Sequence, residues 1–382
     1  MTAGTKPRAA GLVRRGPLRA LWGPGVLDRL GAELARLNVR RGLLVCGSTL
    51  GGDRAVLARV LGAAGGRITD VYAGVEAHSP IASVETGVQV MRAHSCDAII
   101  ALGGGSVLVT ARAMAVLLAE DAPLRDLVTY RAPDGRFVSP RLNTPKVPIV
   151  VLPTTPTTAV PGAATAVTVP GEDGRLAMFD PKTRAASILI DPTLLDTAPA
   201  AVVRSAAFNS LAMSVEGLVS ARANPFSDAW HIHSLRLHAR HVPLIDAGGA
   251  DRVTMVLASM MCAEGADLSG VGLTAALSHV IGHRFHASNG DVDVVVLPHV
   301  LDFVASDENV GRRLAGACEA AGIGDVPTML ANLRTPVSLR SLGVGEQDLD
   351  AIAAAAATDF AFSTSPRHVR IEDAVAVLRA AL

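Results

Sequence analysis

From residue 40 to residue 106 the chain alternates strand-length apolar runs with helical periods, and each run stops at small residues. RGLLVCGS precedes an amphipathic period over 54–64, ITDVYAGV precedes a second over 82–94, and CDAIIALGGGS closes the series. Uninterrupted apolar runs of about six residues must be covered on both faces, and parallel strands joined by crossover helices cover both. A further run, VPIVVLP, ends at Pro153. The pattern predicts a Rossmann-like parallel sheet flanked by helices.

After ILIDPTLL, near Asp191, the strand signals fade and periods rich in Ala, Leu and Val continue to the C-terminus, broken by a loop over 288–291 and by turns near Gly324 and Gly343. The expected organisation is an α/β N-terminal domain over 1–192 and an all-α C-terminal domain over 193–382. A length of 382 residues agrees with two domains at roughly 150 residues each. The 35 basic and 35 acidic side chains balance, which argues against a nucleic acid or an anionic membrane surface as partner and for a small molecule. Lys occurs only at Lys6, Lys146 and Lys182, an Arg bias better explained by coding composition than by phosphate recognition. Cys46, Cys96, Cys262 and Cys318 stand far apart with no CxxC pair, so neither a disulfide framework nor a zinc knuckle is expected, and a reducing cytoplasm fits. The basic segment 1–17 lacks the apolar stretch of a signal peptide, and no segment reaches about 18 uninterrupted apolar residues.

Gly103, Gly104, Gly105 and Ser106 fall between an apolar strand and a helix. Without side chains the backbone can approach a pyrophosphate, and the first amides of the helix attract the anion. A tight turn with no ligand is the competing reading. A second strand end, LPTTPTT, offers Thr154, Thr155, Thr157 and Thr158 as hydroxyls for a nucleotide, or as ordinary caps.

An ordered series of longer segments accompanies these loops: GVEAHSPIASVETGV, DAIIALGGGS, VPIVVLPTT, ILIDPTLLDTAP, SVEGLVSARANPFSDA, LSHVIGHRFHASNGDVDVVVLPHVL and the closing TSPRHVR. Over nearly its whole length the chain resembles the iron-containing alcohol dehydrogenase superfamily, which shares its fold with dehydroquinate synthase. Within it, Asn at position 209 and the wording around SHVIG and VVVLPHVL are similar to maleylacetate reductases. The resemblance implies a two-domain dehydrogenase, commonly a homodimer, with a nicotinamide dinucleotide in the interdomain cleft and a metal held by one Asp and three His.

Those four metal positions here read Asn209, Met213, Ala275 and Asn289, none a normal ligand for a divalent ion, so no metal is expected. The family's additional cleft histidine corresponds to His279. Val109 and Arg112 stand where the glycine loop usually continues to Asp and Lys, and Pro161 stands near an expected Glu. Gly47 and Ser48 occupy the strand end where many members carry an acidic residue on the ribose hydroxyl. Loss of that carboxylate removes repulsion against a 2′-phosphate, so NADP is slightly preferred over NAD.

Asn209 and Met213 are four apart on one helix, and Ala275, His279 and His283 repeat that spacing on another. The expected roles are His279, supported by His283, for proton transfer, Asn209 and Asn289 for orienting a substrate oxygen, and Met213 and Ala275 as apolar pocket wall. Simple packing of the four altered positions is the competing reading. His279, His283 and His286 also form an HxxxHxxH array that a relocated metal would use, although no acidic ligand obviously joins that face. His231 and His233 are expected at the surface. Three functions follow: a metal-independent NAD(P)H-dependent reductase of an activated imine, enone or vinylogous acid; a cyclase, isomerase or dehydratase using the same cleft; and a catalytically silent chain that binds a partner protein.

Overall fold

The computed structural model describes residues 18–382 apart from 135, 173 and 334–337, so the basic segment 1–17 lies outside the described residues. The chain forms two compact units, one of residues 18–199 with Gly248–Val256, the other of Ala200–Ala247 with Leu257–Leu382.

In the first unit the apolar runs become strands of one parallel sheet, as the pattern predicts. The sheet strands and one hairpin beside them are, in chain order, β1 (Ala20–Trp22), β2 (Gly42–Gly47), β3 (Ile68–Val75), β4 (Ala98–Gly103), β5 (Ile149–Pro153), β6 (Ala164–Thr168), β7 (Arg175–Phe179) and β8 (Ser187–Ile190). β6 and β7 pair as a separate antiparallel hairpin. The sheet order is β1-β8-β5-β4-β2-β3, every neighbour parallel. β4, β5 and β8 are buried along their whole length and β2 to its last residue. The edge strand β3 instead alternates, exposing Thr69 and Val71, because it has one neighbour and a wet face.

Helices α1 (Arg54–Ala63), α2 (Ile81–Ala93) and α3 (Gly105–Glu120) make the crossovers. On one face Leu27, Leu30 and Leu34 pack on Leu44, Ile100, Leu102, Val150, Leu152 and Leu189, all fully buried. Each such side chain contributes about 1.5–3 kcal/mol of transfer free energy. From β2 the chain goes outward to β3 and then returns to β4 on the other side of β2. The carboxyl ends of β2 and β4 therefore flank the point where strand order reverses, the usual place for a ligand on an open parallel sheet.

The second unit is helical: α4 (Ala200–Val219), α5 (Pro225–His241), α6 (Gly249–Ser269, from Leu257 onward in this unit), α7 (Leu273–Phe285), α8 (Asn289–Ala305), α9 (Glu308–Ala321), α10 (Leu349–Ala356) and α11 (Ile371–Ala381). Asn224 starts α5 with a reciprocal capping box, followed by Pro225 in the first turn. The loop expected over 288–291 is shorter than that. Ser288 caps α8 by accepting the N–H of Asp291 at 3.3 Å, which makes Asn289 through Asp291 helical. The α4–α8 seam is a backbone contact: a Cβ on Gly290 would lie 1.8 Å from the Ser205 carbonyl oxygen. Among the described residues no single helix is long and apolar enough to cross a membrane.

His233 is exposed, but His231 is fully buried, against the surface position expected for both. Two glycines make its room: a Cβ on Gly217 or Gly265 would sit 2.2 Å or 2.6 Å from its Nε2. His238, one turn and three residues further along α5, is buried as well. Its Nδ1 donates to the Ser234 carbonyl at 2.8 Å and its Nε2 lies 2.7 Å from the Ser210 hydroxyl. Burial pushes both imidazoles down to about 4, so both are neutral in the folded state. Below the ordinary histidine range near 6.5 the unfolded chain takes up the protons first. Their contribution to stability is thus complete above about pH 6.5 and lost as pH falls toward 4.

His238→Gln should flatten the pH dependence of the unfolding free energy between pH 6.5 and 4 by about one proton, a slope change of about 1.4 kcal/mol per pH unit at most. Urea titrations at several pH values check this, and parallel curves for the two proteins would refute it. Gly290→Ala should cost more than about 3 kcal/mol, because the added carbon meets backbone that has no flexible end to move.

Candidate functional site

The loops at the carboxyl edge of the sheet hold every residue expected to touch a dinucleotide. Gly103 ends β4 at φ 155°, a left-handed backbone that favours glycine, and an added Cβ would lie 2.6 Å from Val107 Cγ2. Gly104 precedes α3 with no side-chain cap, and its Cβ would lie 2.8 Å from Thr155 Oγ1. Gly105 leaves 3.4 Å to Thr157 Oγ1. The side-chain-free turn at the head of a 16-residue helix offers what a diphosphate needs: close backbone approach, helix-start amides and neighbouring hydroxyls. These residues fit a dinucleotide.

Pro153 ends β5 beside Gly103, and the Thr154 N–H donates to the Gly103 carbonyl at 3.1 Å. This brings Thr154 and Thr155, both buried, against the glycine loop. Ser106 also ties in the loop after β3: its hydroxyl accepts the His78 N–H at 3.3 Å, and its carbonyl accepts the Ser79 hydroxyl at 3.1 Å. Gly47 ends β2, and Ser48 opens the next helical turn exposed.

Among the departures beside this loop, Arg112 has a structural use through its side chain, whereas Val109 and Pro161 contribute backbone carbonyls. Arg112 is 2% exposed and its guanidinium donates to the carbonyls of Ala159 and Val160, propping the segment that follows Thr155 from beneath. Val109 accepts the Thr165 hydroxyl on its carbonyl at 2.6 Å, and the Pro161 carbonyl accepts from Arg184 at 2.9 Å.

In the second unit α4 carries Asn209 and Met213, α7 carries Ala275, His279 and His283, and α8 begins with Asn289. The structure brings Asn209 together with a residue that the sequence reading did not select. Asn209 Nδ2 donates to Asp293 Oδ2 at 2.7 Å. Asp293 is buried, and desolvation pushes its carboxyl up to about 7, opposed by hydrogen bonds from Ser278 and Asn209. Its signal was the Asn289–Asp293 spacing of four, which puts both on one helix face.

Asn289 lies over α7, where a Cβ on Gly282 would be 2.3 Å from its Oδ1. Met213 is half-buried and Ala275 buried. Ala275 belongs to a helix start organised by Glu216, another buried acid missed in the sequence. Glu216 accepts the N–H groups of Gly272, Thr274 and Ala275 at 3.1, 2.7 and 3.3 Å, while burial raises its pKa. His279 Nδ1 meets Asp359 Oδ2 at 2.8 Å with a third of its side chain exposed. His283 follows one turn later, whereas His286 leaves the helix in a left-handed conformation at φ 54°. The HxxxHxxH spacing therefore does not continue as one helical face.

Divalent iron or zinc is held by carboxylate, imidazole or thiolate donors. An amide already bonded to a carboxyl, a thioether, a methyl and a second amide do not fit such an ion. Among the described residues, no group of three or more His, Cys, Asp or Glu side chains is placed to hold a metal.

Two family models match: iron-containing alcohol dehydrogenase over residues 17–192, and the C-terminal model of the same family over residues 205–382. The chain is 31% identical over 377 residues to maleylacetate reductase 2 of Cupriavidus pinatubonensis, covering 96% of this chain and 94% of that protein. It is 28% identical over 373 residues to lactaldehyde reductase of Escherichia coli K12, covering 93% and 96%. Among solved structures, 1,3-propanediol oxidoreductase superposes with a TM-score of 0.85 at 24% identity over 96% of this chain and 98% of that one. Maleylacetate reductase from Agrobacterium tumefaciens superposes at 0.78 and 24% identity over 97% of each, a likeness of fold. With both halves matched in order, this chain belongs to the iron-containing alcohol dehydrogenase family.

Proposed function

We propose that this chain is a metal-independent, NAD(P)H-dependent reductase of an activated small-molecule substrate of the maleylacetate kind, with NADPH slightly preferred. The observation that carries the reading is the cradle at Gly103–Gly105, where a Cβ on Gly103 would collide with Val107 and one on Gly104 with Thr155. When bound there, a nicotinamide dinucleotide supplies the hydride. Gly103, Gly104, Gly105 and Ser106 would hold its diphosphate at the head of α3, with Thr154 and Thr155 beside it. Gly47 and Ser48 present no carboxylate to repel a 2′-phosphate. The similarity to maleylacetate reductases adds support for reduction over the cyclase or isomerase alternative. So does Arg112, which maintains the loop after Thr155 rather than abolishing it.

The remaining steps fall to amides and one imidazole. Asn209 spends one N–H on Asp293 and retains a second N–H and an oxygen with which to orient a substrate. Asn289 serves the same purpose from the start of α8. Met213 and Ala275 line the pocket with apolar surface, which strengthens those hydrogen bonds by lowering the local dielectric. His279 gives up the proton, with His283 one turn away. None of these groups supplies a metal cation, so the acceptor must already be electrophilic: an iminium, an enone or a vinylogous acid.

Titration of the purified protein with NADPH and with NADH, followed by nicotinamide fluorescence, should show saturable binding. Failure of both dinucleotides to bind would remove the reductase reading. Gly104→Val should weaken that binding at least tenfold while leaving the circular dichroism unchanged. Maleylacetate-dependent oxidation of NADPH should survive dialysis against EDTA. Activity that vanishes on chelation and returns with iron or zinc would overturn metal independence.

Asp293→Asn should make the protein more stable at pH 8. Burial raises this carboxyl from near 3.8 to about 7, so its ionised form disfavours the folded state above pH 7, and the penalty fades as pH falls toward 4. The variant's advantage should shrink across that window, measured as unfolding free energy against pH. A difference that stays constant with pH would contradict the placement of this charge.

A further inference from the structure

His279 and Asp359 lie 80 residues apart in sequence and meet through one hydrogen bond, Nδ1 to Oδ2 at 2.8 Å. The carboxylate divides its two oxygens. Oδ1 caps the short turn Phe360–Thr364, accepting the Ala361 N–H at 2.8 Å, and Oδ2 faces the imidazole. A cap needs only one oxygen, and the second of a merely capping Asp points into solvent; the Asp359 side chain is only 20% exposed. The turn is held to α7 at its other end too, where the Thr364 hydroxyl donates to the Val271 carbonyl just before the helix begins. Asp359 is thus a fixed point from which the ring can be aimed.

A carboxylate at Nδ1 keeps the proton on that nitrogen. The neutral ring then carries its lone pair on Nε2, and the protonated ring presents Nε2–H. We propose that Asp359 is a positioning residue that fixes the tautomer and orientation of His279, so that proton transfer to substrate takes place at Nε2. This rests on the reading of His279 as proton donor. The logic is the general one of an acid that orients a catalytic histidine without itself taking the proton.

Asp359→Asn separates the two uses of the side chain. The amide oxygen keeps the cap on Ala361, but the NH2 group now faces Nδ1 and can only donate, which forces the ring proton to Nε2. In protein labelled with 15N-histidine, with the His279 signals assigned by their absence in His279→Gln, wild type should show a protonated Nδ1. Asp359→Asn should show the reversed pattern at an unchanged melting temperature. With maleylacetate and NADPH as probe, kcat should fall about 10- to 100-fold with KM within about threefold. Asp359→Asn should cost nothing further in a His279→Gln background.

An unchanged nitrogen pattern in Asp359→Asn overturns the proposal, as does a loss that adds fully to that of His279→Gln. If His279→Gln turns over like wild type while NADPH still binds, the proton-donor reading fails and the positioning role falls with it. If Asp359→Asn alone is silent, the positioning role falls and the proton-donor reading stands. Where maleylacetate is not turned over by wild type, the labelled spectrum decides whether Asp359 sets the tautomer.

Discussion

A carboxyl carried into a packed helix seam must either stay neutral or be matched by donors, and Asp293 meets this demand where α4 and α8 touch backbone to backbone at Gly290 and Ser205. The partner it finds is Asn209. An amide at 209 donates to the acid. A carboxylate there would place a second negative charge at hydrogen-bond distance, and one of the two acids would have to remain protonated. An Asp at 209 would thus be disfavoured by Asp293 unless a cation lay between the two.

Much of the fold was legible because the signals are local. Apolar runs ending in glycine gave β2 and β4, and one ending at Pro153 gave β5, whereas ITDVYAGV was read as a strand without the alternation that marks β3 as an edge. The dinucleotide edge was legible for the same reason: Gly103 to Ser106 and Thr154 with Thr155 are each contiguous in sequence, and a parallel sheet brings neighbouring strand ends together without further information. The second unit was harder to read. Asp359 joins His279 across 80 residues, and Glu216 organises the start of α7 from 56 residues or more away; no periodicity reports either. His231 was misplaced because a polar residue in a helix reads as solvent-facing, whereas here Gly217 and Gly265 open a slot for the ring. The return of Gly248–Val256 to the first unit likewise leaves no mark in composition; Arg252 is tied there by hydrogen bonds to the carbonyls of Leu195 and Ala198 and by an ion pair with Asp196 at 3.8 Å.

Magnitudes narrow what a site of this composition can reduce. A divalent cation on a developing alkoxide supplies several kcal/mol without moving a proton. A neutral hydrogen bond from an amide supplies about 0.5–1.5 kcal/mol net, and one to a charged group about 1.5–3 kcal/mol. Under the proposed function, Asn209 and Asn289 together therefore would not replace a cation for a substrate whose charge collects on one oxygen. They suffice when the substrate spreads the charge itself, as a conjugated acid or enone does when hydride adds at the far end of the conjugated system. In that case the proton is needed at a carbon or a weakly basic oxygen, later along the reaction coordinate, and under the proposed function it would come from the His279 imidazole. A side chain held at one nitrogen by Asp359 meets that requirement better than a freely rotating one, because the entropy of aiming the ring is already spent in folding.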